Sequence, residues 1–298
     1  MGRAKNHQSS RRNYHPNKSS TAYSNNSNNI QVGQHGIFVS FCSTKESFVR
    51  NEVYNLLNRF ADQLFGAEFA EEKQIDSTDL HDLDSALENE KQKLTDTRKK
   101  IRRFQIVKSG ANHSFFVSTT LPRSSLNQLT ELIFQTSIDS KEQHSRYTER
   151  LLPIAFICKA YDDELRKLII EEEFVKQILA LIDPSTDTIW FDVHAKKSNN
   201  TQLKSSRLEE IIITDLISRK ADDLNGKIFK RDYKKPVIHI LLHVIKNVIL
   251  ISLVRNYETY KKYNLASINL VTTTEQQEQK KITFNDDDDD DDEEEKEE

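Results

Sequence analysis

The chain has 298 residues and a formal net charge of −4, but residues 286–298 hold seven Asp, five Glu and one Lys, so that segment carries −11 and residues 1–285 are left at +7. Only two cysteines occur, Cys42 and Cys158, far apart and outside any CxxC pattern; this excludes a disulfide framework and a cysteine zinc site, and points to a reducing compartment, nuclear, nucleolar or cytoplasmic. Six glycines, with no GxxxxGKS/T and no GxGxxG run, argue against a nucleotide, S-adenosylmethionine or acetyl-coenzyme A site built on glycine-rich turns.

Residues 1–35 read as a basic arm. Arg3, Lys5, Arg11, Arg12 and Lys18 meet no acid through residue 29, and Ser and Asn are abundant. No apolar run resembles a signal peptide, and the sixth residue is Asn, not the Ser or Thr of a myristoylation signal. Neither this arm nor the acidic tail holds enough apolar surface to offset chain entropy, so both are expected to be disordered.

The middle of the chain is α/β (α+β). A ferredoxin-like domain is predicted over 36–145. Ile37–Cys42 reads as a strand, and Ser43 with Glu46 as the capping box of a helix bearing Val49, Val53, Leu56, Leu57 and Phe60 at helical spacing. The charge-dense stretch of about 68–100, with Leu80, Leu83, Leu87 and Leu94, exceeds a normal connection and reads as an insertion. Arg103–Lys108 and Ser114–Thr119 form a hairpin around Ser109-Gly110-Ala111-Asn112. Pro122 and a Ser125/Gln128 box then open a helix with the stripe Leu126, Leu129, Leu132, Ile133, and Leu151–Cys158 closes a β-α-β-β-α-β order.

A second domain is predicted over 146–256. Asp162 caps a helix carrying Leu165, Leu168, Ile169, Ile178 and Leu179, which stops before Pro184. Thr188–Val193 is a strand, followed by a polar loop, a Ser206/Glu209 capping box and the stripe Leu208, Ile211, Ile212, Leu216. Val237–Val254 is 18 residues long, enough for a membrane helix, but Lys246-Asn247 sits at its centre, where a bilayer least tolerates charge. Its Val and Ile content favours a buried β-hairpin. A C-terminal helix leading into the acidic tail is predicted over 257–298.

His239 and His243 mimic a zinc pair but lack the Glu of HExxH, and on a strand they would stand about 13 Å apart. No metal, cofactor or catalytic residue is assigned. A binding surface remains. Lys196, Lys197, Asn199, Asn200 and Lys204 occupy the loop before the helix of Arg207, and suit phosphate and ribose contacts. Tyr257, Tyr260 and Tyr263 interleave with Lys261 and Lys262 and, with Arg255, border the same face. The alternative is a solvated loop and an amphipathic helix whose tyrosines pack on the sheet.

HAKKSNN (194–200), SRLEEII (206–212) and HVIKNVILISLVRNYETYKKYNL (243–265) resemble a THUMP domain. RRFQIVKSGANHSFFVSTT (102–120) and RYTERLLPIAFICKA (146–160) resemble the ferredoxin-like domain and junction of the eukaryotic THUMP-domain proteins that serve as adaptors for tRNA cytidine acetylation. The resemblance spans about residues 36–265. Ser198 stands where the family has Arg, FKRDYKKP (229–236) replaces the usual lead-in to the hairpin, and Ile249 stands where Cys is common.

The resemblance implies a protein that grips the acceptor end of tRNA without catalysing. An RNA cytidine acetyltransferase partner would then modify a cytidine in the D-arm of serine and leucine tRNAs. Lys246, Arg103, Arg146 and Arg150 join the RNA-binding set, with no membrane and no small-molecule substrate. Catalytic THUMP enzymes append a further module, and the roughly 33 residues after Leu265 leave no space for one. Two other classes stay open: a standalone RNA-modifying enzyme, and a ribosome-assembly or scaffold protein acting through its acidic tail.

Overall fold

The computed structural model describes residues 29–68, 102–140, 142–219 and 226–268. The predicted insertion, the acidic tail and most of the basic arm lie outside them. The first unit runs β1 (Gly36–Phe41), α1 (Glu46–Phe65), β2 (Phe104–Lys108), β3 (Ser114–Thr119), α2 (Arg123–Ser140) and β4 (Thr148–Ile154). Its strands form an antiparallel sheet in the order β2-β3-β1-β4, the ferredoxin-like arrangement. Val49, Val53, Leu56, Leu57 and Phe60 of α1 are buried as expected, with Leu126, Leu129 and Ile133 of α2.

The second unit runs β5 (Phe156–Lys159), α3 (Asp162–Ile170), α4 (Glu172–Leu179), β6 (Thr188–Ser198), α5 (Ser205–Ile217), β7 (Ile228–Arg231), β8 (Ile238–Ile245) and β9 (Val248–Val254). The sheet order is β5-β9-β8-β6-β7. β6 pairs in parallel with β7 and β8, and β9 pairs antiparallel with β8 and β5. The hairpin reading of Val237–Val254 is the observed one, with Lys246 in the left-handed region at φ 51°. No helix among the described residues is long and apolar enough to cross a membrane. β8 is buried along nearly its whole length because helices cover one face of its sheet and the first unit covers the other. Such double cover explains a run that is apolar except at His239 and His243.

Several boundaries differ from expectation. The single closing strand over Leu151–Cys158 is two strands, one in each sheet, separated at Ala155, whose N–H donates to the Ile251 carbonyl at 2.9 Å. The sheets therefore part at Ala155, and β4, placed by the 145/146 boundary with the second domain, belongs to the first sheet. The helix before Pro184 breaks at Glu171, which is extended at ψ 137°. β6 runs five residues beyond Val193, and the four-residue β7 was not anticipated.

The capping boxes do not form. α1 starts after Lys45, and the Ser43 hydroxyl accepts from the Lys45 N–H at 3.1 Å instead. α2 starts at Arg123, which puts Ser125 inside its first turn. α5 is preceded by Lys204, and Glu209 accepts from the Ala195 N–H at 2.9 Å. Asp162 is the first residue of α3 rather than its cap, and its carboxylate receives Arg207.

The predicted helix from Tyr257 is replaced by turns through residue 263, with helix only over 265–268. Lys261, Lys262 and Tyr263 are all left-handed, at φ 49°, 61° and 57°. Tertiary contacts hold this uncommon run: Tyr260 and Tyr263 pack on Phe134 at 5.4 and 5.1 Å between ring centroids, and the Tyr263 carbonyl accepts from the Leu151 N–H of β4. The buried cluster is continuous between the units, joining Phe38, Phe116 and Leu152 to Leu241, Ile245, Leu250 and Val254.

Candidate functional site

Period-two alternation divides the polar end of β6 between two faces. Asp192, His194 and Lys196 share a face with His239 and His243 of β8, by a register that sets Asp192 beside His239 and Lys196 beside His243. Lys197 points the other way, where its ammonium donates to the Leu203 carbonyl at 2.8 Å. Lys196 and Lys197 thus sit on the strand, not in the predicted loop, and only Lys196 faces the first sheet.

That face forms one wall of a cleft of about 420 Å³ between the two sheets. Phe38, Ser40 and Arg150 line the other wall, and Asn112, His113 and Tyr257 its ends. Phe38 meets the His243 ring edge-on at 4.7 Å, and the Ser198 hydroxyl lies 3.2 Å from His243 Nε2. Burial, then the charges of Lys196 and Arg150, push the His243 imidazole down to about 4, so it is neutral at physiological pH. The cationic character of the cleft comes from Arg150 and Lys196. A groove with two cations, an amide and exposed ring faces can hold phosphate, ribose and base together.

The rim is ordered by side-chain amides. Asn200 donates to the Lys246 carbonyl at 2.7 Å while its carbonyl oxygen accepts from the Gln202 and Leu203 N–H groups. Asn199, left-handed at φ 57°, donates to the Gly110 carbonyl at 3.2 Å. Gly110 has φ 85°, a left-handed conformation that favours glycine, and the flexible end of the Lys246 side chain packs against it. Arg150, Lys196, Asn199, Asn200 and Lys246 therefore gather at one end of the inter-sheet face. Lys204 is exposed just before α5, and Lys261 and Lys262 are exposed on the turn beyond β9.

Other candidates are held elsewhere. Arg103 is buried, bonded to Asp62 at 2.8 Å and to the Gly66 carbonyl at 2.7 Å. Arg255 grips Glu131 with two bonds, at 2.8 and 3.2 Å, and donates to the Leu181 carbonyl. It also stands at the opposite end of the seven-residue β9 from Lys246, about 20 Å or more away. Arg207 is shared between Asp162 and Glu210. Arg103 and Arg255 thus act as clamps within the fold, each paired with a carboxylate. Arg146 is exposed, and its backbone N–H is fixed by Glu52 at 2.9 Å. Tyr260 and Tyr263 are buried rather than displayed; Tyr257 alone of the three tyrosines reaches the cleft.

Sequence reasoning missed a polar cluster beside the cleft. His239 neighbours Asp192 and His194 on the adjacent strand, not His243. His194 Nε2 lies 3.3 Å from one Asp192 carboxylate oxygen, and Arg231 Nε donates to the other at 3.2 Å. The His194 and His239 rings are nearly parallel, 5.5 Å apart, beside Tyr257. Burial, with His194 next, holds His239 below the usual imidazole range. Its Nδ1 is buried without a hydrogen-bond partner, which costs about 1–3 kcal/mol. The available signal was the alternation Asp192, His194 opposite His239, visible only once β6 and β8 are known to pair.

No family model matches the chain. Among curated relatives, THUMP domain-containing protein 1 of mouse is 29% identical over 244 residues, covering 80% of this chain and 65% of the relative. The human protein of that name matches at 29% identity with the same coverage. The Drosophila melanogaster homolog of that name is 26% identical over 267 residues, covering 80% and 75%. The chain thus spans about 65% of the length of the mammalian relatives. Among solved structures, a 4-thiouridine synthetase–RNA complex with bound ATP aligns at 13% identity and TM-score 0.36, over 74% of this chain and 41% of that one. A predicted N6-adenine-specific DNA methylase from Listeria monocytogenes aligns at 10% and 0.38, over 74% and 40%. A match of 244 residues must pass through both sheets, so the chain is similar to THUMP domain-containing protein 1 of mouse and human over both units.

Proposed function

We propose that the protein binds tRNA and acts as a non-catalytic adaptor, presenting serine and leucine tRNAs to an RNA cytidine acetyltransferase that forms acetylcytidine in the D-arm. The observation that carries RNA binding is the inter-sheet cleft, where Arg150 and Lys196 face one another across about 420 Å³ lined by Asn112 and Tyr257. Two facing cations suit consecutive phosphates, and the rim beside them is ordered through Asn199, Asn200 and Gly110 before any ligand arrives. The adaptor role, the choice of tRNAs and the acceptor-end grip rest on the family resemblance. Nuclear, nucleolar or cytoplasmic residence follows from the same reading.

Two measurements test it. Purified full-length protein should bind tRNA with an affinity that falls as salt rises. Failure to bind any tRNA at low salt removes the RNA reading. Nucleoside mass spectrometry after deletion of the gene should show loss of acetylcytidine. Normal acetylcytidine with a different modification missing removes the adaptor role and favours a standalone modifying enzyme. Protein alone with acetyl-coenzyme A and tRNA should transfer nothing.

A further inference from the structure

We propose that Asp192, His194 and His239 form a binding site for a divalent transition metal of the zinc class, with one coordination position open toward the inter-sheet cleft. The three residues come from adjacent parallel strands, and their candidate ligand atoms all lie within 4.8 Å of one another. Two imidazoles and a carboxylate are a donor set that Zn²⁺ accepts at roughly 2.0–2.2 Å per bond. Neighbouring ligands of a tetrahedral centre then stand about 3.3 Å apart, the separation seen between His194 Nε2 and the Asp192 carboxylate.

A second observation points the same way. His239 is 6% exposed, and its Nδ1 has no hydrogen-bond partner. A buried strand histidine usually satisfies both ring nitrogens, one as donor and one as acceptor. The His239 ring thus carries an uncommitted nitrogen in a residue that already brings one ligand atom to within 4.8 Å of Asp192 and His194. Arg231 occupies Oδ1 of Asp192 and leaves Oδ2 directed to His194, which is how an outer hydrogen bond orients a ligating carboxylate. His194 has a half-exposed side chain, so it can turn to bring its nitrogen into range. Lys262 adds positive charge nearby, offset by Glu258.

Three protein ligands leave a fourth position free, which is the composition of an open rather than a closed zinc site. His194 and Tyr257 belong both to this cluster and to the cleft wall, so that position faces the cleft. The site stands independently of the RNA reading.

The test is metal titration of the full chain after chelator treatment. Zn²⁺ should bind with one equivalent in calorimetry and raise the melting temperature, Co²⁺ should give a visible absorption band, and Mg²⁺ should do neither. His194→Ala removes a half-exposed side chain and should leave the far-ultraviolet circular dichroism unchanged, yet weaken Zn²⁺ at least about tenfold and abolish the Co²⁺ band, since even outer partners of a metal ligand are worth that much. Asp192→Asn should act likewise. Absence of saturable Zn²⁺ uptake overturns the proposal. So does uptake that His194→Ala leaves unchanged, which would place the metal on other histidines.

Discussion

The side-chain amide of Asn199 donates to the backbone carbonyl of Gly110 at 3.2 Å, tying the end of β6 in one sheet to the β2–β3 hairpin of the other. Asn is among the few non-glycine residues that tolerate the left-handed backbone found there, at φ 57°. Asn199→Ala loses both the bond and the conformational fit, and should lower stability by about 1–2 kcal/mol. Asn199→Gly keeps the conformation and loses only the bond. Thermal melts of the two should separate them, with the alanine variant the lower; equal melting temperatures would show that backbone strain is not at issue.

Glu52 of α1 organises the entry to β4. One of its oxygens accepts from the Ser145 hydroxyl at 2.5 Å, the Thr148 hydroxyl at 2.8 Å and the Tyr147 and Thr148 N–H groups at 3.2 Å; the other accepts from the Arg146 N–H. Burial raises this carboxyl, but the hydrogen bonds outweigh burial and hold it below the usual carboxylate range. Glu52→Gln turns one acceptor into a donor facing donors, and should cost about 2 kcal/mol in denaturant unfolding at neutral pH. A smaller loss at low pH is expected, because the wild-type carboxyl protonates there and gives up the same bonds.

His243 makes the fold acid-sensitive at a higher pH than carboxylates do. Its folded imidazole is depressed to about 4, from about 6.5 in the unfolded chain. A depressed base binds fewer protons folded than unfolded, so its contribution is present above 6.5 and is lost as pH falls toward 4. Between pH 6.5 and 5 the loss is about 2 kcal/mol. His239, also depressed, acts in the same direction. His243→Gln should flatten the unfolding free energy over that window by about the stated amount. A variant with the wild-type slope would assign the acid sensitivity to another group.

Long periodic patterns are legible in the sequence, and local ones are not. The stripe of α1 and the β8–β9 hairpin depend on burial along a whole element, and both appear where the residues place them. The capping boxes depend on two side chains having no better partner. Glu209 meets the Ala195 N–H of β6, and Asp162 meets Arg207. The break at Glu171 and the left-handed run at Lys261–Tyr263 are imposed by packing that no window of sequence contains. Basic residues are easy to find and hard to sort. Arg255 and Arg150 look alike in sequence, yet Glu131 neutralises one from 124 positions away while the other lines the cleft.

Arg150→Ala with Lys196→Ala removes the two cations that face one another across the cleft. The pair should weaken tRNA binding by about tenfold or more and reduce the slope of log affinity against log salt by about 2, one for each phosphate left without its cation. Stability should change little, because both side chains border solvent. Arg103→Ala and Arg255→Ala should do the reverse. Arg103 has only 9% of its side chain exposed and anchors the start of β2 to α1 through Asp62; its loss removes bonds to a half-exposed carboxylate and a carbonyl, at a cost of about 1–3 kcal/mol. Salt titrations of tRNA binding, paired with denaturant melts, place each variant on one axis or the other. Binding that is unchanged by the cleft pair and impaired by Arg255→Ala in a folded protein would move the RNA to the far end of β9, away from the Asn199–Gly110 rim.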